Sequence, residues 1–402
     1  MVIVGGGPAG TSAALSLAHH RPDLAGRIAV LEKERYPRDK YCAGALGGRA
    51  ERTLRAFGVQ LQVPSVPIRG MSAAFQAGEV TLRGGPIGRV VRRIELDHAL
   101  ALAARDRGVR VIEGARVTRV AFGERASLVE TTAGAWEGRV VIGADGVGSV
   151  VRRAMGLPFG RLRAQVVEVD TEPVPADRPR DLLHFDLRDR SYAGYAWDFP
   201  TLAAGASLVC RGVYVLHPDA VGGGAPAADP VALLRARLAA LGLDADRYRF
   251  KRFAERGLEP GLPLARPAAL LVGEAAGIDP LFGEGIAQAI AYGALAGEYL
   301  AARLSPDDRR ADLRFDDWTD RVRRSLLGAD LRLRRRLVRR VYDEGRGRDL
   351  IERCVLEQPP LLRLGMQYFS GGPFSPGNTL RAAALGTLLY GRLRYGRRRM
   401  SA

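Results

Sequence analysis

The chain opens on Val2-Ile3-Val4, a β-branched run. It then passes through Gly5-Gly6-Gly7-Pro8-Ala9-Gly10 to Ala13, Ala14, Leu15, Leu17 and Ala18, apolar positions suited to a helix packed on a sheet. Strand, tight turn, helix is the reading. A second strand over Arg27 to Leu31 ends at Glu32 and closes a βαβ unit of about 30 residues. Further on, the pattern predicts a helix over Leu96 to Arg107 and a strand over Val109 to Glu113. A small meander is expected from Val117 to Phe122, Ser127 to Thr132 and Arg139 to Ile142. From Gly160 to Pro263 the chain is rich in aromatic and strand-like runs, with a Gly222 to Pro226 loop and one helix at Pro230 to Leu241. There Tyr195, Trp197 and Phe199 alternate, which places three rings on one face of a strand. A buried strand at Ala269 to Val272, a glycine-broken turn and a helix from Gly285 to about Leu304 follow. After Pro306 the pattern becomes that of Arg-rich amphipathic helices.

With 402 residues, 47% hydrophobic and 26% charged, the chain can bury a core and is not a disordered tail or a disulfide miniprotein. Cys42, Cys210 and Cys354 lie far apart and suggest neither a disulfide framework nor a zinc site. His19, His20, His98, His184 and His217 read as solvated or core residues rather than metal ligands, so no metal is expected. No apolar run reaches the ~18 to 20 residues that cross a bilayer, and no targeting segment precedes Val2, so the expected location is cytoplasmic.

Charge changes the picture more. The net is +17, and only Lys33, Lys40 and Lys251 among the 61 basic residues are lysine. Either a genomic preference for arginine or attraction to phosphate or anionic lipid accounts for it. Its placement is uneven, because Arg309 to Ala402 carry 22 arginines and 10 acids. In Leu331 to Tyr342 the apolar Leu333, Leu337, Val338 and Val341 recur at helical spacing among Arg332, Arg334, Arg335, Arg336, Arg339 and Arg340. The C-terminal region is read as a helical cap with a solvated arginine face. Peripheral contact with anionic membrane through these helices, or through the tail Leu385 to Arg399, is the second reading, and nucleic acid is disfavoured for want of a recognition motif.

The chemistry begins at Gly5-x-Gly7-x-x-Gly10. The first glycine permits a tight turn, the second lets backbone approach a pyrophosphate, and the third packs helix on strand. The helix N-terminus, entered through Pro8 and Ala9, presents N–H groups to the phosphates. Glu32, about 20 residues beyond, is placed to accept ribose hydroxyls, with Lys33 beside it. Two further segments follow strands: Gly143-Ala144-Asp145-Gly146-Val147-Gly148-Ser149, and Gly273-Glu274-Ala275-Ala276-Gly277-Ile278-Asp279-Pro280 leading through Gly283-Glu284-Gly285-Ile286 into a helix. In this order the three resemble the FAD-dependent oxidoreductases of the p-hydroxybenzoate hydroxylase and geranylgeranyl reductase group, over about the first 300 residues.

The resemblance implies an α/β fold. A Rossmann-like FAD-binding domain would comprise 1–65, 88–160 and 264–305, a β-rich substrate domain 66–87 and 161–263, and a helical C-terminal region 306–402. It implies that Gly5, Gly7, Gly10 and Glu32 hold the ADP half of FAD and that Arg93 lies beside the flavin. Asp145 and Gly146 would lie near cofactor and reductant, and the segment through Gly273, Glu274, Pro280, Gly283, Gly285 and Ile286 along the ribityl chain and ring. Glu274 stands where the family usually has Asp. A surface ion pair or a turn cap is the alternative for Arg93 and Asp145.

Arg38-Asp39-Lys40-Tyr41-Cys42-Ala43-Gly44 resembles the Lys-x-Cys-Gly-Gly segment of geranylgeranyl reductases, with Ala43 for one glycine. Tyr195 to Pro200 is similar to their Tyr-x-Trp-x-Phe-Pro box, which lines a lipid tunnel. The resemblance therefore implies reduction of C=C bonds in a prenyl lipid, with NADPH or another external donor reducing the FAD. Cys42 would be a flavin-facing gate or proton source, and Tyr195, Trp197 and Phe199 substrate lining. The runner-up is a flavin monooxygenase hydroxylating an aromatic or polyketide-type substrate.

Overall fold

The computed structural model describes residues 1–221, 228–304, 312–342, 346–357, 359–372 and 384. The Gly222 to Pro226 loop and the tail Leu385 to Arg399 lie outside them.

Short apolar strands buried on both faces make a parallel sheet, since only helices on either side can shield them. Here Ala269–Leu271, Val141–Gly143, Val2–Val4, Ala29–Leu31 and Arg110–Ile112 pair in parallel in that order, and Ala265–Arg266 adds an antiparallel edge beside Ala269–Leu271. The helix Pro8–His20 follows the first strand and lies against Ile286–Ala301, where Ser16 Oγ donates to the Ala294 carbonyl at 3.0 Å. Pro8 at the first helical turn sacrifices no hydrogen bond, because that N–H would have no partner within the helix.

A second sheet of eight strands runs in the order Lys251–Arg256, Arg163–Thr171, Ala206–Leu216, Gly194–Ala203, Leu182–Asp186, Ser65–Phe75, Gly78–Val91, Ala45–Gly47. Its pairs are antiparallel except Leu182–Asp186 with Ser65–Phe75. Val117–Ala121, Ser127–Thr131 and Gly134–Gly138 form the meander. Its third strand is thus not Arg139 to Ile142: Val141–Gly143 has left it to join the parallel sheet, where both faces of an apolar triplet are covered.

The C-terminal region packs on both sheets. Phe315, Trp318, Val322, Leu327 and Leu331 enter the core of the parallel sheet, whereas Val338, Tyr342, Met366 and Phe369 enter the core of the eight-stranded one. In helix Leu326–Tyr342 three of the four expected apolar positions, Leu337, Val338 and Val341, pack against the core of the eight-stranded sheet. Leu327, Leu331, Arg334, Val338 and Tyr342 form its inward stripe, while Leu333 is 51% exposed. Arg334, expected on the solvated face, instead faces Asp279 and Glu284. Among the described residues no helix is long and apolar enough to cross a membrane.

Candidate active site

Gly5 sits at φ +103°, and a Cβ there would fall 2.3 Å from the Ala144 carbonyl oxygen, so the turn excludes any other residue. Tyr36 covers the loop from outside, its hydroxyl donating to the Gly6 carbonyl. Glu32 is buried at the end of its strand; Oε2 accepts the Gly6 N–H and an Arg38 N–H, each at 3.1 Å, and Oε1 accepts the Glu34 N–H at 3.1 Å. A carboxylate has about four lone-pair sites, so Glu32 keeps one for a further donor.

The helix Arg93–Asp106 begins a turn earlier than the apolar pattern indicates. That turn sets Arg93 and Asp97 four residues apart on one face, joined by two hydrogen bonds of 2.7 Å. Arg38 Nη1 reaches the same carboxylate at 2.8 Å, so Glu32, Arg38, Asp97 and Arg93 form one chain of charges from the first βαβ unit to the space above Gly7. Burial opposes the Arg93 charge, but Asp97 outweighs it and holds the guanidinium more strongly protonated than usual.

Asp145 caps the helix Val150–Ala154, Oδ2 accepting the Val150 N–H at 2.6 Å and Oδ1 the Ser149 hydroxyl at 2.5 Å. Burial raises its pKa against those donors. Asp145 thus makes the local cap contact, whereas the ion pair of Arg93 is buried and not at the surface. Lys33 is exposed, whereas Gly273, Pro280 and Ile286 are buried and Gly146, Gly283 and Gly285 partly so. Lys40 Nζ lies 3.6 Å from Glu274 Oε2.

The second sheet places the aromatic box by register. Trp197 pairs with Gly212, whose missing side chain is necessary: a Cβ there would be 2.1 Å from the indole. Gly212 in turn pairs with Glu168, and Glu168 with Lys251, all on one face. On the next row Tyr195 pairs with Tyr214, their rings 5.3 Å apart, and Phe185 packs on Phe199 at 5.2 Å. Glu168 joins this face to the Cys42 loop, Oε1 accepting the Cys42 N–H at 2.9 Å and Oε2 facing the Cys210 thiol at 3.7 Å. Burial raises both thiols, so Cys42 and Cys210 stay protonated at neutral pH. The other face, with Ala196 and Asp198, borders a cavity of about 550 Å³ in which Arg237 pairs with Asp186 and Asp198, and Arg211 with Asp177 and Asp198.

Sequence reasoning missed Glu168 and Glu255. The available signal was a single acid inside an apolar strand, as in Val166-Val167-Glu168-Val169. Burial pushes Glu168 up to about 7 from 4.5, so the folded state holds its proton more tightly than the unfolded one. That contribution is complete below pH 4.5 and is lost as pH rises through about 7. Subtracting the Tm–pH profile of Glu168→Gln from that of wild type should show this fall, worth up to about 3 kcal/mol. A flat difference from pH 4.5 to 7 would contradict the assignment.

A dinucleotide is compatible with the residues along this path. A Cβ on Gly7 would meet nothing closer than Arg93 at 3.7 Å, and Arg38 Nε, Glu274 Oε1 and Glu255 Oε2 are buried without a hydrogen-bond partner. Such atoms call for a polar group from elsewhere.

Residues 1–194 match the FAD binding domain family. The menaquinone reductase of Mycobacterium tuberculosis is 30% identical over 328 residues, covering 75% of this chain and 76% of that protein. The digeranylgeranylglycerophospholipid reductase of Methanothrix thermoacetophila is 28% identical, covering 77% and 79%. The crystal structure of a geranylgeranyl bacteriochlorophyll reductase-like protein from Thermoplasma acidophilum superposes with a TM-score of 0.65 at 18% identity, covering 95% of each chain.

Proposed function

The chain belongs to the geranylgeranyl reductase family of FAD-dependent oxidoreductases, and from that premise we propose that it saturates C=C bonds in the prenyl chain of a lipid. One observation carries the reading: strand register sets the aromatic face of Tyr195, Trp197 and Phe199 in line with Glu168, the carboxylate that holds the Cys42 loop. The relatives named for reduction of menaquinone and of digeranylgeranylglycerophospholipid support such a substrate.

In this reading Gly5, Gly7, Gly10 and Glu32 hold the ADP half of the cofactor, Arg93 and Arg38 set charge beside it, and Glu274 Oε1 accepts from the ribityl chain. FAD held there would supply the hydride chemistry, with NADPH or another external donor as the source of its electrons. The aromatic face excludes water and aligns the chain, a service worth orders of magnitude because a misplaced alkene seldom reaches attack geometry. Leu326 and Leu333, exposed on the cap beside exposed Arg332 and Arg336, support contact with anionic lipid.

Cys42→Ala and Trp197→Ala should each slow alkene reduction about 10- to 100-fold while leaving the spectrum of bound FAD intact. Anaerobically reduced holoprotein, mixed with a prenyl lipid, gives the rate by absorbance; two variants at wild-type rates would refute the placement. Substrate-dependent oxygen consumption without anaerobic reoxidation would instead favour a monooxygenase.

A further inference from the structure

We propose that Glu255 is the acid that protonates the second alkene carbon, an inference that rests on the reductase reading above. Glu255 lies on the edge strand Lys251–Arg256, where alternation sets it on the face shared by Lys251 and Phe253. Phe253 is in register with Val166, Tyr214 and Tyr195, so Glu255 stands one step beyond the aromatic rows. A Cβ built on Gly283 would be 2.5 Å from Glu255 Oε2 and 3.1 Å from the Tyr214 ring. The carboxyl therefore occupies the junction between the aromatic face and the glycine segment implied to border the flavin ring.

Its neighbours are committed elsewhere. The Tyr195 hydroxyl donates to the Phe282 carbonyl at 2.6 Å, that of Tyr214 to Pro280 at 3.2 Å, and that of Tyr342 to Leu281 at 2.8 Å. Each tyrosine proton at this end is thus spent on the 280–282 loop. Asp279 caps that loop through the Leu281 N–H at 2.7 Å and pairs with Arg334; Glu168 accepts from Cys42; Glu274 pairs with Lys40. Glu255 Oε2 is buried without a partner. Burial first, then the charge of Glu274, with Asp279 and Glu168 adding and Lys40 opposing, raises its pKa well above the carboxylate range, so it holds a proton at neutral pH.

As the alkene π bond accepts hydride at one carbon, the Glu255 O–H bond breaks and its proton forms the C–H bond at the other. The electrons come from the two-electron donor that reduced the enzyme, and the carboxylate left behind regains its proton from solvent past the partly exposed Lys40. Cys42, whose thiol is also protonated, is the rival donor.

The test uses FAD-loaded wild type, Glu255→Gln and Cys42→Ser, reduced anaerobically with dithionite and mixed with digeranylgeranyl glycerophospholipid in detergent. Glu255→Gln should bind and reduce FAD normally but reoxidise about 100-fold more slowly, the scale of a lost general acid, with the lipid KM unchanged. Independently of turnover, the infrared spectrum of wild type at neutral pH should contain a protonated-carboxyl band that Glu255→Gln lacks. Reoxidation of Glu255→Gln at the wild-type rate, loss confined to Cys42→Ser, or absence of the band would overturn the assignment. Failure of wild type to be reoxidised would instead refute the reductase reading, and this proposal with it.

Discussion

Arg334→Ala is expected to destabilise the protein by about 3 to 5 kcal/mol, the usual cost of removing one partner from a buried ion network. The guanidinium reaches Asp279, Glu284 and Asp330, and Arg49 adds bonds to Glu284 at 2.8 Å and Asp330 at 3.3 Å. Removing Arg334 leaves Glu284 and Asp330 sharing Arg49, and Asp279 without the cation it pairs with, in a site from which water is largely excluded. Asp279 also holds the loop before Gly283, accepting the Leu281 and Phe282 N–H groups at 2.7 and 3.2 Å. The loss should therefore weaken FAD retention as well as lower Tm. Arg336→Ala, on the exposed side of the same helix, should stay within about 0.5 kcal/mol of wild type. Thermal unfolding of both variants with and without FAD checks this; an Arg334→Ala protein as stable as Arg336→Ala would show that the cap is held by apolar packing alone.

The second large effect separates binding from folding within one loop. Gly7 has φ −77° and ψ −176°, extended backbone open to any residue, and an added Cβ meets nothing closer than Arg93 Nη2 at 3.7 Å, an ordinary contact. Gly10 differs, because its Cβ would lie 2.0 Å from the Gly5 carbonyl oxygen. Gly7→Ala should thus leave the apoprotein's Tm unchanged yet weaken FAD about 100-fold, or ~3 kcal/mol, by placing a methyl where the pyrophosphate must approach. Gly10→Ala should lower Tm even without FAD, since strand and helix must separate. FAD titration beside apoprotein melting distinguishes them, because a ligand stabilises only as far as it binds. Wild-type FAD affinity in Gly7→Ala would remove Gly7 from the phosphate site.

The parts of the site that could be read along the chain are those whose physics is local. Gly5, Gly7 and Gly10 define a turn within six residues, Glu32 ends the next strand, and Tyr195, Trp197 and Phe199 share a face because side chains alternate along any strand. Glu168 and Glu255 escaped because their roles depend on which strands lie side by side. Glu168 meets Cys42 across 126 residues of chain, and Glu255 meets Gly283 only after the edge strand and the 280–285 loop are both placed.

The arginine surplus divides the same way. The sequence by itself determined that the charge collects after residue 308 and that Leu331 to Tyr342 is an amphipathic helix, since both follow from counting and spacing. Only the tertiary structure decided which of its arginines turns inward. Arg334 turns to Asp279 and Glu284 of the 279–284 loop and Leu333 is left exposed, because burying those two acids without a cation would cost more than exposing a leucine.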